Sequence, residues 1–454
     1  MTATFDRNDG RPRTAWPGAE DQRPAKVVDI ELSQPLPAIT TTTAVDGRPY
    51  REVWAIVRVF EEPVGLVPVS TDGPVLSTAA LSAAVERECG GVVRARARAA
   101  GADPVRMLSG LGDGSASTPG FLAGHARAAA TGPQITVVVC TRGRPDDLAR
   151  ALRSLADQSY PRFDVLVVDN APADGRTALL VAGLGPDGPP VAYTVERRPG
   201  LSWARNHALA QVTSPVVAWL DDDEVADRHW LSEIAAAFAE APDAAAVSGS
   251  VVPAELETLP QLWFEQYGGH TKGRGFVGAV FRGHDGAGRS PLYPLPVFGV
   301  GANMAFRVDE LRRLGGFDTA LGAGTLTRSG EDTLVFAQIL VSGGVVVYRP
   351  SALTRHFHRP DYRSLELQMT GYGTGLTAYY TSLLAHDWRL IGPLLRLLPT
   401  AAKDTFGGGG ERLSRVPDTF PRELLRRKAR GMIVGPFAYM RARRAARALE
   451  GAAQ

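Results

Sequence analysis

The chain has 454 residues, 44% of them hydrophobic and 22% charged, with a formal net charge of +2. That length allows two to three domains with a full core, and Cys89 and Cys140 alone exclude a disulfide framework, which points to the cytoplasm. The balanced charge gives no electrostatic footprint for nucleic acid, so no nucleic-acid partner is expected.

The N-terminal stretch has no apolar core of a secretory signal, and no run of about 18 apolar residues predicts a transmembrane helix. Residues 1–45 are polar and aperiodic and read as disordered. Residues 46–130 read as a small α+β accessory module. EVWAIVRVFEEPVGLVPVS alternates as two strands around a Glu-Glu-Pro turn, and a helix follows with Ser77 or Thr78 as its cap.

From 131 to 360 the texture is that of an α/β domain. ITVVVC (135–140) and FDVLVVDN (163–170) are β-branched runs suited to strands buried on both faces. Helices over DDLARALRSLADQ, SWARNHALAQ and HWLSEIAAAFAEA alternate with strands VAYTVE and PVVAWL. Such alternation predicts a mostly parallel sheet flanked by helices. A Gly/Pro-rich stretch leads to about 300, and VVVYRP (345–350) is a late strand. Residues 361–454 read as a helical extension with a basic tail, broken by a tetraglycine at 407–410. Residues 411–447 hold 11 Lys or Arg against 3 Asp or Glu.

Chemistry concentrates at strand ends. In LDDDE (220–224) three aspartates and a glutamate follow a buried strand. Such crowding is expensive without a cation or several donors. In extended backbone Asp221 and Asp223 point to the same side and can share one hard divalent ion. The structural alternative is a solvated loop capping the next helix. Asp169 ends another strand, where a carboxylate can accept hydrogen bonds from a nucleoside or make an Asx-turn. Glu331 and Asp332 open an apolar helix, as a helix cap also would. His356 and His358 follow the late strand, and a histidine pair near acids suits a metal. Walker, dinucleotide-fold and nucleophile-elbow motifs are absent.

The ordered set CTRGRP, VVDN, GLSWARNHAL, WLDDDE, FGVGANMAFR, LGGFD and SGED resembles the family 2 inverting glycosyltransferases over about 134–375. The resemblance implies a GT-A fold, a nucleotide-sugar-binding α/β sheet. It implies transfer of a sugar from a nucleotide-diphosphate donor, a UDP-sugar by preference, to an acceptor hydroxyl by single displacement. It assigns Mn²⁺ or Mg²⁺ to Asp223 and Asp221, with His356, or alternatively His358, as a further ligand. Thr141, Arg142, Asp169, Arg205, Asp221 and Asp222 then contact the nucleotide sugar, Asp332 is the base, and Glu331 orients Asp332 or the acceptor. Residues 265–300 match no motif, which leaves open a glycan, lipid-linked or small-molecule acceptor. The processive-synthase arginine-tryptophan motif and membrane helices are missing, so addition of one or a few sugars is expected. A nucleotidyltransferase or a non-catalytic nucleotide- or glycan-binding protein are the competing readings. The first lacks a Gly-rich phosphate loop, and the second does not need both the acid cluster and the Glu-Asp pair. The Arg-rich, partly apolar tail adds an expectation of peripheral contact with the inner face of a membrane.

Overall fold

The β-branched runs fold into one large sheet in a computed structural model that describes residues 24–42, 50–186, 188–270, 274–283, 292, 298–406 and 420–451. The N-terminal module holds β1 (Ala25–Glu31), β2 (Ile39–Thr40), β3 (Glu52–Val59), β4 (Glu62–Ser70) and β5 (Val75–Leu76). It continues with α1 (Thr78–Ala99), α2 (Pro104–Leu108) and α3 (Gly120–Thr131). The β3–β4 turn falls at Phe60 and Glu61, both at positive φ. Ser77 caps α1, accepting from the Ala80 amide.

The expected disorder of residues 1–45 is corrected in its described part, because β1 pairs in parallel with β3 along its whole length. The strand needs tertiary partners, which is why its sequence is quiet. Asp29 accepts from Arg58 and from Arg355, each at 2.8 Å, and Arg355 lies in the large sheet. The module is also tied down by an Arg58–Asp227 ion pair and by His229 Nε2 against Glu61 at 2.7 Å.

The central domain continues with β6 (Ile135–Thr141), α4 (Pro145–Ala156), β7 (Phe163–Asn170), α5 (Arg176–Ala182), β8 (Val191–Glu196), α6 (Leu201–Gln211), β9 (Val216–Leu220) and β10 (Glu224–Ala226). Next are α7 (Trp230–Glu240), β11 (Ala244–Pro253), α8 (Leu259–Gln266), β12 (Ala279–Arg282), β13 (Asn303–Arg307), α9 (Val308–Arg313), α10 (Glu331–Val341) and β14 (Val345–His356). The sheet order is β10-β14-β11-β13-β9-β6-β7-β8, with β12 also on β14. Strands β9, β6, β7 and β8 are mutually parallel, as are β11 and β14. Strands β10, β12 and β13 run antiparallel to their neighbours, so the α/β sheet is mixed. The runs ITVVVC and FDVLVVDN are buried on both faces because α4 and α7 pack on one side and α6, α9 and α10 on the other.

The C-terminal region forms α11 (Tyr362–His386), α12 (Ile391–Phe406) and α13 (Arg422–Gly451). Helices α11 and α13 pack closely through glycines. Pro436 inside α13 removes the hydrogen bond that the Met432 carbonyl would receive. The Thr377 hydroxyl of α11 donates to that carbonyl at 2.8 Å instead. The tetraglycine and residues 411–419 of the tail lie outside the described residues. Among the described residues no helix is long and apolar enough to cross a membrane.

Candidate functional site

A cleft of about 1200 Å³ opens at the C-terminal ends of β6, β7 and β9, the edge where open α/β sheets hold ligands. Its wall takes in Thr141 at the end of β6 with Arg142 and Arg144 after it, Asn170 at the end of β7, Asp221–Asp223 after β9, and Gly330–Asp332 at the start of α10. His356 and Arg359 close one side, and Lys428 of α13 and Trp54 of the N-terminal module also reach it.

The acid cluster is not a solvated loop. Asp222 and Asp223 are 6% and 7% exposed. No side chain of the cluster caps α7, which begins after His229. Asp222 accepts from the Thr141 hydroxyl at 2.7 Å and from Arg144 at 2.9 Å. Arg144 reaches Asp223 at 2.9 Å as well, so one guanidinium bridges two carboxylates. Burial pushes the Asp222 carboxyl up to about 6, opposed by Arg144 and reinforced by Asp223. Burial acts on Asp223 in the same direction, but His356, Arg359 and Arg144 outweigh it and hold the group well below the usual carboxylate range. Asp221 is raised by burial despite the nearby Arg205. Glu224 is raised further by burial and by Asp221 and Asp223.

His356 ends β14, which pairs with β10 directly after the acid cluster. Its Nε2 lies 3.3 Å from Asp223 Oδ1. Its Nδ1 lies 3.0 Å from His358 Nδ1, and His358 Nε2 lies 2.6 Å from Glu265 Oε1. His270, His356 and His358 form a group whose ligand nitrogens all fall within 4.8 Å of one another. Asp223 oxygen and His356 nitrogen at this spacing, with Asp221 beside them, are a donor set that suits Mn²⁺ or Mg²⁺. His358 is turned to Glu265, so His356 is the histidine that meets the acid cluster.

Across the cleft, α10 starts at Gly330, which has φ of 101° and offers no side-chain cap. The left-handed φ and the Gly375 carbonyl, 2.8 Å from where a Cβ would sit, leave room there for glycine only. Asp332 does not cap the helix either. Its Oδ2 accepts from the Gly301 amide at 2.6 Å and its Oδ1 from Thr333 at 3.2 Å. A Cβ on Gly301 would fall 2.9 Å from that Oδ2, so this approach also needs glycine.

Glu331 is buried behind Asp332. Arg205 donates to its Oε1 at 2.9 Å, and its Oε2 has no hydrogen-bond partner among the described residues. Burial, then the charge of Asp332, raise Glu331 to about 7 against the pull of Arg205. Arg205 is 1% exposed and also donates to the Gly301 carbonyl at 3.1 Å and to Asp221 at 3.4 Å. It is an internal counter-charge linking both acidic motifs.

Asp169 is 1% exposed and lies inside β7, not in an Asx-turn. Its Oδ2 accepts from Tyr193 at 3.0 Å, while Oδ1 has no partner among the described residues and burial raises the group. Its neighbour Asn170 lines the cleft and accepts from the Gly200 amide at 2.9 Å. Sequence reasoning missed Arg144 as a bridge, Arg359, Glu265 and His270. Arg144 stood in the motif CTRGRP. The other three carry no local pattern.

Residues 136–315 match the family described as Glycosyl transferase family 2. The succinoglycan biosynthesis protein ExoM of Rhizobium meliloti is 32% identical over 230 residues, which is 48% of this chain and 65% of that protein. A glucosyl-dolichyl phosphate glucuronosyltransferase of Haloferax volcanii is 26% identical over 42% of this chain and 57% of its own length. A pre-mycofactocin glycosyltransferase of Mycobacterium tuberculosis is 26% identical over 53% of this chain and 46% of its own. The chain thus spans about half to two thirds of the length of these three relatives. A solved mannosyltransferase of Pyrobaculum calidifontis, in complex with GDP-Man and Mn²⁺, superposes with a TM-score of 0.42 at 21% identity, covering 74% of this chain and 83% of that one.

Proposed function

We propose that this chain, whose residues 136–315 belong to glycosyl transferase family 2, moves a sugar from a nucleoside-diphosphate donor to an acceptor hydroxyl with inversion. The observation that carries the reading is the pairing of two chemistries in one cleft. Asp223 and His356 converge on one side, and Asp332 stands on another with no helix-capping duty.

Asp221, Asp223 and His356 are the residues that would hold Mn²⁺ or Mg²⁺. Such an ion, when bound, supplies Lewis-acid neutralisation of the leaving diphosphate. Asp332 takes the acceptor hydroxyl proton. The acceptor oxygen bonds to the anomeric carbon as the bond from that carbon to the diphosphate oxygen breaks, and the nucleoside diphosphate departs on the opposite face. The Gly301 amide fixes the Asp332 carboxylate for this work. Glu331, held by Arg205, positions Asp332 from behind. Thr141, Arg142, Asp222 and Asn170 form the nucleotide side of the cleft, with Asp169 next to Asn170 in β7. UDP-sugars are the first donors to examine. The acceptor belongs to the glycan, lipid-linked or small-molecule classes.

The test is donor hydrolysis and transfer over a panel of nucleotide sugars with Mn²⁺, with Mg²⁺ and in EDTA. Asp223→Asn is assayed for turnover and melting temperature together. Turnover is expected to vanish in EDTA and in the variant while the fold persists. Full activity in EDTA would overturn the metal role, and hydrolysis of no donor would overturn the transferase reading.

A further inference from the structure

Helix α13 has two faces with opposite duties. The inner face carries Gly431, Gly435, Ala438, Ala442 and Ala446, all buried, and packs on α11. A Cβ on Gly435 would fall 2.0 Å from Thr377 Oγ1, so the helices cannot rotate or separate without losing this fit. That packing turns Ile433, Val434, Phe437 and Met440 outward. Ile433 is 73% and Phe437 64% exposed. Large apolar side chains grouped this way on a helix mark an interaction site.

The neighbouring segment repeats the pattern. Leu390, Leu394 and Leu397 pack on the cluster around Tyr379 and Tyr439, which leaves Trp388, Ile391 and Leu395 exposed. Arginines bracket the apolar block of α13 at Arg426 and Arg430 on one side and Arg441 and Arg444 on the other. No outward-facing residue between 426 and 448 is acidic. Two copies meeting through this face would bring like charges together. A surface of anionic headgroups over hydrocarbon complements both the arginines and the apolar block, and long arginine side chains can reach up to headgroups while their stems stay apolar.

We propose that the outward face of α13, centred on Ile433 and Phe437, docks this protein in the plane of a bilayer that contains anionic lipid. The apolar block, more than the arginines on either side of it, is the anchor. This surface is independent of the transfer chemistry. Lys428, on the cleft wall, lies nine residues before Phe437 on the same helix, about 14 Å along its axis. Docking therefore holds the cleft beside the membrane surface.

The experiment is co-sedimentation of the full chain with vesicles of phosphatidylcholine alone or mixed with phosphatidylserine, at low and high salt. The wild type is expected to sediment with the mixed vesicles and less at high salt. The doubly substituted Ile433→Ser, Phe437→Ser protein, with unchanged charge, is expected to bind about tenfold or more weakly. Arg430→Gln with Arg441→Gln is expected to remove most of the salt-sensitive part. Melting curves check that each variant is folded. Equal vesicle binding by the serine variant overturns the proposal. So does sedimentation-velocity evidence of a dimer that those serines dissolve, which would assign the face to a second copy.

Discussion

Glu233 and Glu331 are both buried, and both lie in the first turn of a helix packed on the same sheet. Their surroundings are opposite. Glu233 accepts from His125 at 2.8 Å, from Arg349 at 2.6 Å and from Ser351. Burial alone would raise it, but His125 and then Arg349 bring it down to about 2. Glu331 has one cation, one orphaned oxygen and a carboxylate neighbour, and it rises to about 7. A carboxylate that is fully answered by its neighbours is structural. One left short of partners at a cleft wall is arranged for something that arrives later.

The largest expected effect tests the incomplete side. Asp332→Asn should cut transfer by roughly 10²–10⁴ while nucleotide binding, measured by calorimetry, is retained. It should also lower the pH at which Glu331 titrates, read from carboxylate NMR, because a like charge has gone. Normal transfer by the variant would leave Asp332 a mere partner of Gly301.

On the complete side, Glu233 should govern acid stability. A carboxyl depressed from 4.5 to about 2 contributes about 3 kcal/mol, present above pH 4.5 and lost as the pH falls toward 2. Glu233→Gln should lose that contribution at neutral pH and flatten the acid limb of denaturant-unfolding curves. An unchanged acid limb would mean that the His125 and Arg349 contacts add nothing.

The third effect has the reverse sign. Glu331 is raised, so its contribution is complete below pH 4.5 and is lost as the pH rises through about 7. The free protein should therefore melt lower as the pH climbs over that window, and Glu331→Gln should melt with a shallower dependence. Parallel curves would equate the two glutamates after all.

The acidic motifs and the strands were legible because their signals are local. LDDDE and SGED each sit in one short segment, and a doubly buried strand announces itself by a β-branched run. Strand β1 escaped because its pairing partner is more than twenty residues away and its own apolar pattern is broken by Asp29. The Glu265–His358–His356 chain escaped for the same reason. Its members sit on α8, after β14 and at the end of β14, and only the sheet register joins them. Arg205 stands in the motif GLSWARNHAL, but nothing local to α6 reveals that Glu331, 126 positions later, accepts from it.

Arg205 has a further consequence for how this site can change. One guanidinium is shared by Asp221, Glu331 and the Gly301 carbonyl, and Gly301 in turn holds Asp332. With the donor at Asp221 and the acceptor at Asp332, as proposed, a substitution at one end alters the footing of the other. Costs of paired changes at 221 and 331 should depart from their sum. Variants selected for a new donor and variants selected for a new acceptor will then not combine freely. On the proposed assignment, specificity at the two ends would be inherited as a block, with the route between two such specificities running through position 205.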